Sequence, residues 1–414
     1  MKETTMTETV EEFRRRARTW LAATMPRLED AHSTDDDEAH WRRARELQRM
    51  LYAGGFAGIC FPQEYGGLGL GPEYQRAFTE ESAGYEMPLN LNIPTFSICA
   101  PTLLDMGSED QKRTHLPAVI RGDEILCQFL SEPSGGSDLA GLLTRAERDG
   151  DTWILNGAKT WSSSAYAADY ALCLARTDPE VPKHEGLTMF LVPTKAPGIT
   201  LNRIRMVNGS TEFCEEFFDN VVLPAEAVVG EVNGGWAVAS RQLYHERNAV
   251  GGGSPYVSGR GLPPTTVYST PVEVARATGS GADPLVRERI GEWLATSKVL
   301  DQLVARVSHG VAAGHLPPTA TSLLRLLNAQ ASQLSADLAM RIAGGYAAVG
   351  QGPQMGTTGR AAVGYLMRQS ASLGGGSTEM SRNVISERML GMPREYAADR
   401  GVPFKDISRT RGAR

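Results

Sequence analysis

The segment 151–157, DTWILNG, marks the point where helical patterning gives way to strand patterning. Its apolar run ends in Asn-Gly, a dipeptide typical of a tight turn. Three further short runs of strand type follow, at 170–176, 187–192 and 215–219, and Pro, Gly or Asp residues separate them. We therefore predict a small antiparallel β domain at 126–233, with its first long strand ending at the Asn-Gly turn.

Helical periodicity flanks this β domain on both sides. Before it, apolar residues recur at helical spacing in 10–21 and again in 41–51. After it, the segments 287–307 and 321–342 are long and amphipathic. Helices, then strands, then helices is an order typical of an α+β chain and not of an alternating βαβ chain.

The predicted organisation has three parts: an N-terminal all-helical domain at 1–125, the middle β domain at 126–233 and a C-terminal helical bundle domain at 234–414. Within the last part, the stretch 251–270 is rich in Gly, Pro and Thr. We predict an irregular loop there, which acts either as a lid or as a passive insertion. A helix is expected to begin at Ser108, whose hydroxyl can cap it.

Composition excludes several classes of protein. The 414 residues include 42 Lys plus Arg against 48 Asp plus Glu, so the basic surplus that nucleic-acid binding requires is missing. No run of about 18 apolar residues supports membrane insertion. Five dispersed cysteines and an N-terminus without a secretory signal favour a reducing compartment, and we predict a cytoplasmic location. Seven scattered histidines predict no metal site.

Two segments carry residues suited to ligand chemistry. The first, QFLSEPSGGSD at 128–138, offers hydroxyls and free backbone N–H groups to a phosphate or to the polar edge of a ring, although an ordinary glycine turn is the alternative. The second, NGAKTWSS at 156–163, places Trp161 beside two serines. Trp161 could stack on a flat ligand, whereas alone it would more often be a core residue.

Six ordered motifs together resemble the acyl-CoA dehydrogenase family, over roughly residues 10 to 395. The resemblance implies a helical N-terminal domain, a middle β domain and a C-terminal four-helix bundle. The motifs are PQEYGGLGLG at 62–71, a GxxxQK…LP run at 107–117, LSEPSGGSD at 130–138, NGAKTW at 156–161, FFDNVVLP at 217–224 followed by GEVNGGW at 230–236, and GGSTEMSRNVISERMLGMP at 375–393.

The resemblance implies a flavoprotein that carries FAD. In the family pattern, Leu130 and Ser131 match positions at the pyrimidine edge of the flavin, Trp161 lies beside the ring, and Ser163 matches the hydroxyl at flavin N5. The implied cofactor-binding residues are Gln128, Leu130, Ser131, Ser137, Trp161, Ser163, Arg276, Gly344, Gly345, Ser377 and Glu379.

The position of the catalytic base is the most informative departure from the commonest family pattern. Many members keep a Glu where this chain has Gly375, and a glycine cannot abstract a proton. A second subgroup places its base on the first helix of the C-terminal domain, and there this chain has Glu246. We predict Glu246 as the catalytic base; the alternative is an exposed Glu that interacts with neighbours on its own helix. Of the adjacent residues, Arg247 matches a family arginine that shapes this site, and His245 is expected on the helix surface or behind the base and not as a catalytic group.

The resemblance also implies how substrate and partners bind. Ser137 and Arg247 correspond to substrate contacts, and the backbone N–H of Gly375 can donate to the substrate carbonyl. Glu132 is expected to order its loop and not to act as a base. Family members are usually homotetramers built as dimers of dimers, in which Arg276 and the Gly344-Gly345 pair reach the FAD of a neighbouring subunit.

The resulting prediction is FAD-dependent α,β-dehydrogenation of an acyl-CoA thioester. The α-proton passes to Glu246, the β-hydride to flavin N5, and the electrons on to an electron-transfer flavoprotein. Two alternatives stay open: a relative of changed chemistry (a flavin monooxygenase or an enzyme acting on carrier-protein thioesters), and a non-catalytic subunit of a hetero-oligomeric dehydrogenase. Acyl chain length and branching are not encoded in any motif.

Overall fold

The middle of the chain forms one mixed β-sheet, and helices precede and follow it. The structure is a computed structural model that describes residues 8–30, 37–250, 253–260, 268–348 and 356–407. Within these residues the strand order is β6-β7-β3-β2-β4-β5-β8, and β1 pairs with β4. The strands are β1 (Leu126–Phe129), β2 (Arg145–Asp149), β3 (Thr152–Ser163), β4 (Tyr170–Arg176), β5 (Leu187–Pro193), β6 (Ile199–Ile204), β7 (Phe213–Pro224) and β8 (Val228–Val229).

The helices lie in the two flanking parts of the chain, which confirms the predicted α+β class. The five before the sheet are α1 (Val10–Thr24), α2 (Asp37–Ala53), α3 (Pro72–Glu81), α4 (Ala100–Met106) and α5 (Glu109–Arg121). Those after it are α6 (Gly235–Val250), α7 (Pro271–Thr278), α8 (Pro284–Ala312), α9 (Thr321–Ala343), α10 (Thr357–Met367) and α11 (Thr378–Val384).

The start of α5 shows how local sequence sets a helix boundary. The Ser108 hydroxyl accepts a hydrogen bond from the backbone N–H of Gln111 at 3.2 Å, and the Gln111 side-chain oxygen accepts one from the backbone N–H of Ser108 at 3.0 Å. This reciprocal pair satisfies two N–H groups that the helix itself cannot satisfy. The helix ends at Gly122, which has a φ of 83°. The predicted start at Ser108 is therefore confirmed.

The prediction that the strand from 151 ends at Asn156-Gly157 is wrong. Strand β3 continues to Ser163, and the pairing with β7 shifts register between Leu155 and Gly157. A Cβ at Gly157 would lie 2.6 Å from the Thr144 Cα, so the glycine is needed for close approach of two backbone segments. The sheet is also not wholly antiparallel, because β1 and β2 both pair with β4 in parallel.

The described chain divides into two units, each with its own core. The first contains described residues from Met1–Ile204, Thr211–Leu262 and Ala398–Arg414, and includes the sheet with α1 to α6. The second contains described residues from Arg205–Ser210 and Pro263–Ala397, including α7 to α11. Its core is small and lies around Val274, Ala339 and Ile342. The division into domains at 125/126 and 233/234 stays a prediction.

The predicted irregular stretch 251–270 lies partly outside the described residues. Its described portion, 253–260, contains no helix or strand and packs with the first unit. Asn92 binds this portion at two points: its side-chain amide donates to the Arg260 carbonyl at 2.8 Å, and its side-chain oxygen accepts from the Ser258 N–H at 2.6 Å. The segment is thus held by specific hydrogen bonds to the N-terminal helical region.

Candidate active site

The loop that follows β1 is organised around a buried carboxylate, Glu132. Its two oxygens accept hydrogen bonds from the backbone N–H groups of Leu143, at 2.6 Å, and Thr144, at 2.8 Å. The Lys159 ammonium, on β3, lies 3.0 Å from the same carboxylate and 3.0 Å from the Leu130 carbonyl. Both side chains are almost completely buried. Glu132 therefore orders the loop, as predicted.

Burial alone would raise the pKa of Glu132, but the Lys159 charge and hydrogen bonds from Thr144 and Leu143 lower that pKa below its ordinary value. The carboxylate is therefore ionised at neutral pH and forms a buried ion pair with Lys159. This pair ties the loop at 130–144 to the middle of β3, the strand that carries Trp161.

Trp161 lies on a β-bulge that turns it out of the sheet. The pairing of β3 with β7 shifts register between Thr160 and Ser162, and Trp161 has a φ of 64°. Its side chain is 53% exposed and meets Phe213 edge-on at 5.9 Å between ring centroids. A bulge adds one residue to a strand and redirects side chains, so the strand exposes a large aromatic ring here. The core alternative for Trp161 is therefore wrong.

The residues next to this ring fit the polar edge of a flavin. The Thr160 N–H donates to the Ser131 carbonyl at 2.9 Å, which brings the loop after β1 and the bulge of β3 together. Ser131 and Ser163 are half-buried and carry hydroxyls; Ser163 lies two positions after the exposed Trp161, and Ser131 is bonded to Thr160, the residue before Trp161. A stacking surface bordered by hydroxyls matches a flat heterocycle with a hydrogen-bonding edge, so these residues fit FAD. Ser137, farther along the loop, is exposed.

Glu246 lies on α6, on the side of that helix nearest to β1. Its carboxylate is 3.5 Å from the Gln128 side-chain nitrogen, which is long for a hydrogen bond. Glu246 is half-buried, and its negative charge together with burial keeps the pKa of the buried Cys99 thiol well above its ordinary value. The structure thus brings Glu246 to the end of the strand that leads into Leu130 and Ser131. Arg247, the next residue, is exposed.

His245 is buried and anchors α6, so its predicted alternative location on the helix surface is wrong. Its Nε2 lies 2.7 Å from a carboxylate oxygen of Asp105, at the end of α4, and Arg241 pairs with the same carboxylate. Burial alone would raise the pKa of Asp105, but hydrogen bonds from His245 and Arg241 lower that pKa. No sequence motif identifies Asp105, because the contact joins residues 140 positions apart.

The other predicted site residues lie in the second unit. Arg276, on α7, is exposed, as are Gly344 and Gly345, and no described atom would lie within 4 Å of a Cβ added at either glycine. Gly375 has a φ of 72°, in the left-handed region that favours glycine. Ser377 caps α11 by accepting a hydrogen bond from the Met380 N–H at 3.2 Å, and Glu379 pairs with Arg382 at 3.3 Å.

The described residues contain neither a metal-ligand cluster nor a membrane-spanning helix. In that part of the chain, no group of three or more His, Cys, Asp or Glu side chains is arranged to hold a metal ion. No helix in the same residues is both long and apolar enough to cross a membrane. The five cysteines are all free thiols.

The order of helices, sheet and helices, together with a stacking surface that fits a flavin, points to a flavoenzyme. Three family models match consecutive parts of the chain: acyl-CoA dehydrogenase N-terminal domain at 7–123, middle domain at 127–221 and C-terminal domain at 233–390. The chain belongs to the acyl-CoA dehydrogenase family. It is a flavin-dependent oxidoreductase, which confirms the resemblance and the family fold.

Individual relatives include enzymes of Mycobacterium tuberculosis (strain ATCC 25618 / H37Rv). The chain is 34% identical over 390 residues to acyl-CoA dehydrogenase IpdE1, covering 93% of this chain and 98% of that protein. Among solved structures, it resembles one titled Tcur3481-Tcur3483 steroid ACAD, with a TM-score of 0.74, 29% identity and coverage of 93% and 98% of the two chains. It also resembles the ChsE4-ChsE5 complex from Mycobacterium tuberculosis, with a TM-score of 0.70, 26% identity and coverage of 95% and 100%.

Proposed function

We propose that the protein oxidises the Cα–Cβ bond of an acyl-CoA thioester, with Glu246 as the base that removes the α-proton. The observation that carries this proposal is the approach of the Glu246 carboxylate to Gln128, 3.5 Å away at the end of β1. That strand leads directly to Leu130 and Ser131, which meet the Trp161 bulge through the 2.9 Å bond between Ser131 and Thr160. The Glu246 carboxylate therefore lies close to the start of the segment, Leu130 and Ser131, that fits a flavin.

The surroundings of Glu246 suit a proton acceptor. The side chain is half-buried beside the neutral Cys99 thiol, and α6 is anchored one residue earlier by the buried His245–Asp105 contact. A base must be held within hydrogen-bond reach of the proton that it removes, and a fixed helix reduces the motion that would spoil that geometry. The His245–Asp105 contact thus fixes the helix from which the Glu246 carboxylate extends.

Leu130, Ser131, Trp161 and Ser163 would hold the flavin ring in the first unit. FAD, when bound, supplies the acceptor for the β-hydride. Trp161 provides the stacking surface, and the serine hydroxyls hold the ring edge in register. Gln128 and Ser137 complete the proposed FAD contacts of this unit, and the proposed contacts of the second are Arg276, Gly344, Gly345, Ser377 and Glu379.

Three residues are proposed to bind the substrate. Ser137, exposed on the loop after β1, would contact the pantetheine chain, and Arg247 would shape the site next to the base. The N–H of Gly375 would donate to the thioester carbonyl, where negative charge develops as the α-proton leaves. A left-handed glycine fits that role because only the backbone is needed.

Anaerobic mixing with acyl-CoA tests the proposed reaction. The FAD-loaded enzyme should lose its oxidised-flavin absorbance on mixing, and an enoyl-CoA should appear in equal amount. Straight-chain and steroid-ring CoA thioesters should both be tried, because one structural relative is the Tcur3481-Tcur3483 steroid ACAD. If no thioester reduces the flavin but oxygen-dependent turnover occurs, changed chemistry replaces the proposal. A colourless protein that gains activity only with a second chain would point to a non-catalytic subunit.

Replacing Trp161 by Ala should weaken FAD binding about tenfold, because aromatic stacking contributes about 0.5–1.5 kcal/mol beyond burial. Stability should change little, since the ring is more exposed than buried. Release of FAD from the holoenzyme, followed by flavin fluorescence, measures the affinity. The matched control is Phe217→Ala, an exposed aromatic on β7, which should leave FAD affinity unchanged. Equal affinity in the wild type and Trp161→Ala would remove Trp161 from the proposed site.

We also propose that the chain works as an oligomer and passes electrons to an electron-transfer flavoprotein. Helix α8 exposes Leu285, Leu294 and Val299, each more than half accessible in the single chain, which supports a further chain packing there. A homo-oligomer built as a dimer of dimers is the first expectation. For its location we propose the cytoplasm, which agrees with the five free thiols. Because one structural relative is the ChsE4-ChsE5 complex, the test is a molar-mass measurement on this chain alone: a single-chain mass would contradict a homo-oligomer.

A further inference from the structure

Glu216, on β7, is a buried carboxyl group directly beneath the Trp161 bulge. Its side chain is 0% exposed, and one oxygen accepts a hydrogen bond from the Ser162 hydroxyl at 2.8 Å. The other oxygen has no hydrogen-bond partner among the described residues. A buried ionised carboxylate with an unsatisfied oxygen is costly, whereas a neutral carboxylic acid is tolerated far better. The geometry therefore favours the protonated form.

The bulge explains why Ser162 points at Glu216. Lys159 pairs with Glu216 across β3 and β7, and Ser162 pairs with Cys214, so Trp161 is the extra residue between them. The extra residue reverses the alternation, which places Ser162 on the same face as Lys159 and Glu216 and leaves Trp161 exposed. The hydrogen bond from Ser162 to Glu216 thus attaches the segment Trp161–Ser163 to the buried face of the sheet.

The charges around Glu216 do not compensate for its ionisation. Among the described residues, the ammonium that acts on Glu216 is that of Lys159, and this group donates to Glu132 and to the Leu130 carbonyl at 3.0 Å each. Glu215, the preceding residue, adds a negative charge. One cation thus lies between two buried carboxyls and pairs with Glu132. Burial raises the pKa of Glu216 to about 8.

The remaining titratable neighbours are thiols that stay neutral over the same range. Burial raises the pKa of Cys127 well above its ordinary value, that of Cys173 to about 12 and that of Cys214 to about 11. Near neutral pH, Glu216 is therefore the group of this buried cluster whose charge can change. Its ionisation would place a second negative charge beside the Lys159–Glu132 pair.

We propose that Glu216 is a positioning residue whose neutral carboxyl holds Ser162, and through it the Trp161–Ser163 wall of the flavin site, and that ionisation of Glu216 loosens this wall. The inference rests on the proposed function for its flavin part only. The pH-sensitive contact is the Glu216–Ser162 hydrogen bond within the sheet, and it is separate from the proposed base, Glu246. The relevant transition runs from neutral to alkaline pH.

The first test measures protonation without any cofactor chemistry. Infrared spectra at pH 7 should contain the C=O stretch of a buried carboxylic acid in the wild type and lack it in Glu216→Gln. In urea unfolding, the unfolded state releases this proton above its ordinary pKa of 4.5, whereas the folded state retains it up to about 8. The wild type should therefore lose stability relative to Glu216→Gln, by about tenfold in unfolding equilibrium per pH unit between these limits.

The control is Glu215→Gln, which changes the adjacent, half-buried residue of the same strand. It should retain the carboxylic acid band and show no pH-dependent difference in stability of this size. A wild-type spectrum without the band, or parallel stability curves for the wild type and Glu216→Gln from pH 5 to 8, would overturn the inference. The wild type should become progressively less stable relative to Glu216→Gln as pH rises from 5 to 8.

The second test asks whether the contact positions the flavin wall. From the FAD-loaded enzyme, Glu216→Leu should release FAD about fivefold more readily at pH 7, while Glu216→Gln, which keeps a neutral acceptor for Ser162, should retain wild-type affinity. Wild-type affinity should fall above pH 8, and that of Glu216→Gln should not. Equal FAD affinity in all three proteins at every pH would overturn the positioning role. A wild type that binds no FAD would refute the flavin part and the proposed function together, whereas the infrared and unfolding results decide the protonation claim alone.

Discussion

Replacing Glu246 by Gln should lower the rate of flavin reduction by acyl-CoA about a thousandfold. General-base catalysis contributes about 10²–10⁴-fold, and a glutamine of the same shape cannot take the α-proton. FAD affinity should remain at the wild-type value, because glutamine keeps the shape of Glu246 and can still contact Gln128. Anaerobic stopped-flow absorbance measures the reduction rate, and flavin release measures the affinity.

The matched control for this substitution is Glu231→Gln, in the turn that precedes α6. Glu231 is exposed, and its recorded hydrogen bond uses the backbone carbonyl and not the side chain. Its replacement should leave the rate of flavin reduction unchanged. If Glu246→Gln reduces flavin within a few-fold of the wild-type rate, Glu246 is not the base. Rate loss accompanied by loss of FAD would instead indicate a structural role for the side chain.

Replacing Lys159 by Met should destabilise the folded protein by about 3–5 kcal/mol, the usual cost of leaving one partner of a buried ion pair without the other. Lys159 is fully buried, and its ammonium serves both Glu132 and the Leu130 carbonyl at 3.0 Å. Methionine fills similar volume, so the loss reports charge and hydrogen bonding more than packing. Urea unfolding of the holoenzyme at pH 7 measures the difference.

Two further variants separate charge from shape. The double variant Lys159→Met with Glu132→Gln should be more stable than Lys159→Met alone, because it removes the uncompensated carboxylate. Lys195→Met, at an exposed lysine, should change stability by less than about 0.5 kcal/mol. A loss of similar size at both lysines would contradict the buried ion pair.

Acid pH provides an independent check on the same pair. The folded-state pKa of Glu132 lies below its ordinary value of 4.5, so its contribution is present above that value and disappears as pH falls through the folded-state pKa. The stability gap between the wild type and Lys159→Met should therefore shrink as pH falls, because burial without Lys159 raises the pKa of Glu132 and protonation relieves the variant first. If the stability difference between the wild type and Lys159→Met grew in acid, Glu132 would not be the ionised partner of Lys159.

Local sequence was sufficient wherever a feature depends on neighbours along the chain. Ser108 and Gln111 are three positions apart, so the start of α5 could be predicted from capping chemistry alone. At Asn156-Gly157 local sequence is misleading, because the structure there depends on contacts with distant residues. This dipeptide favours a turn, but Thr144, which precedes β2, approaches Gly157 closely, and β3 continues to pair with β7 beyond that position. No pattern near residue 156 reports that contact.

Buried polar contacts illustrate the same limit at the site. Glu132 was expected to order its loop because its motif is recognisable, whereas the roles of Asp105 and Glu216 require partners on other elements. The only local signal for Glu216 is an acidic residue at an inward-facing strand position, between Cys214 and Phe218. Alternation alone would assign that position to an apolar side chain.

The sequence by itself determined the α+β order, the family and the set of residues expected around FAD, because these follow from periodicity and from motifs in a fixed order. Only the tertiary structure decided that Glu246 lies beside Gln128, that a bulge exposes Trp161, and that one buried ammonium faces two buried carboxyls. Those facts depend on register and on burial of groups distant in sequence. Charge and hydrogen bonding depend strongly on distance and solvent exposure, so chain order cannot specify them.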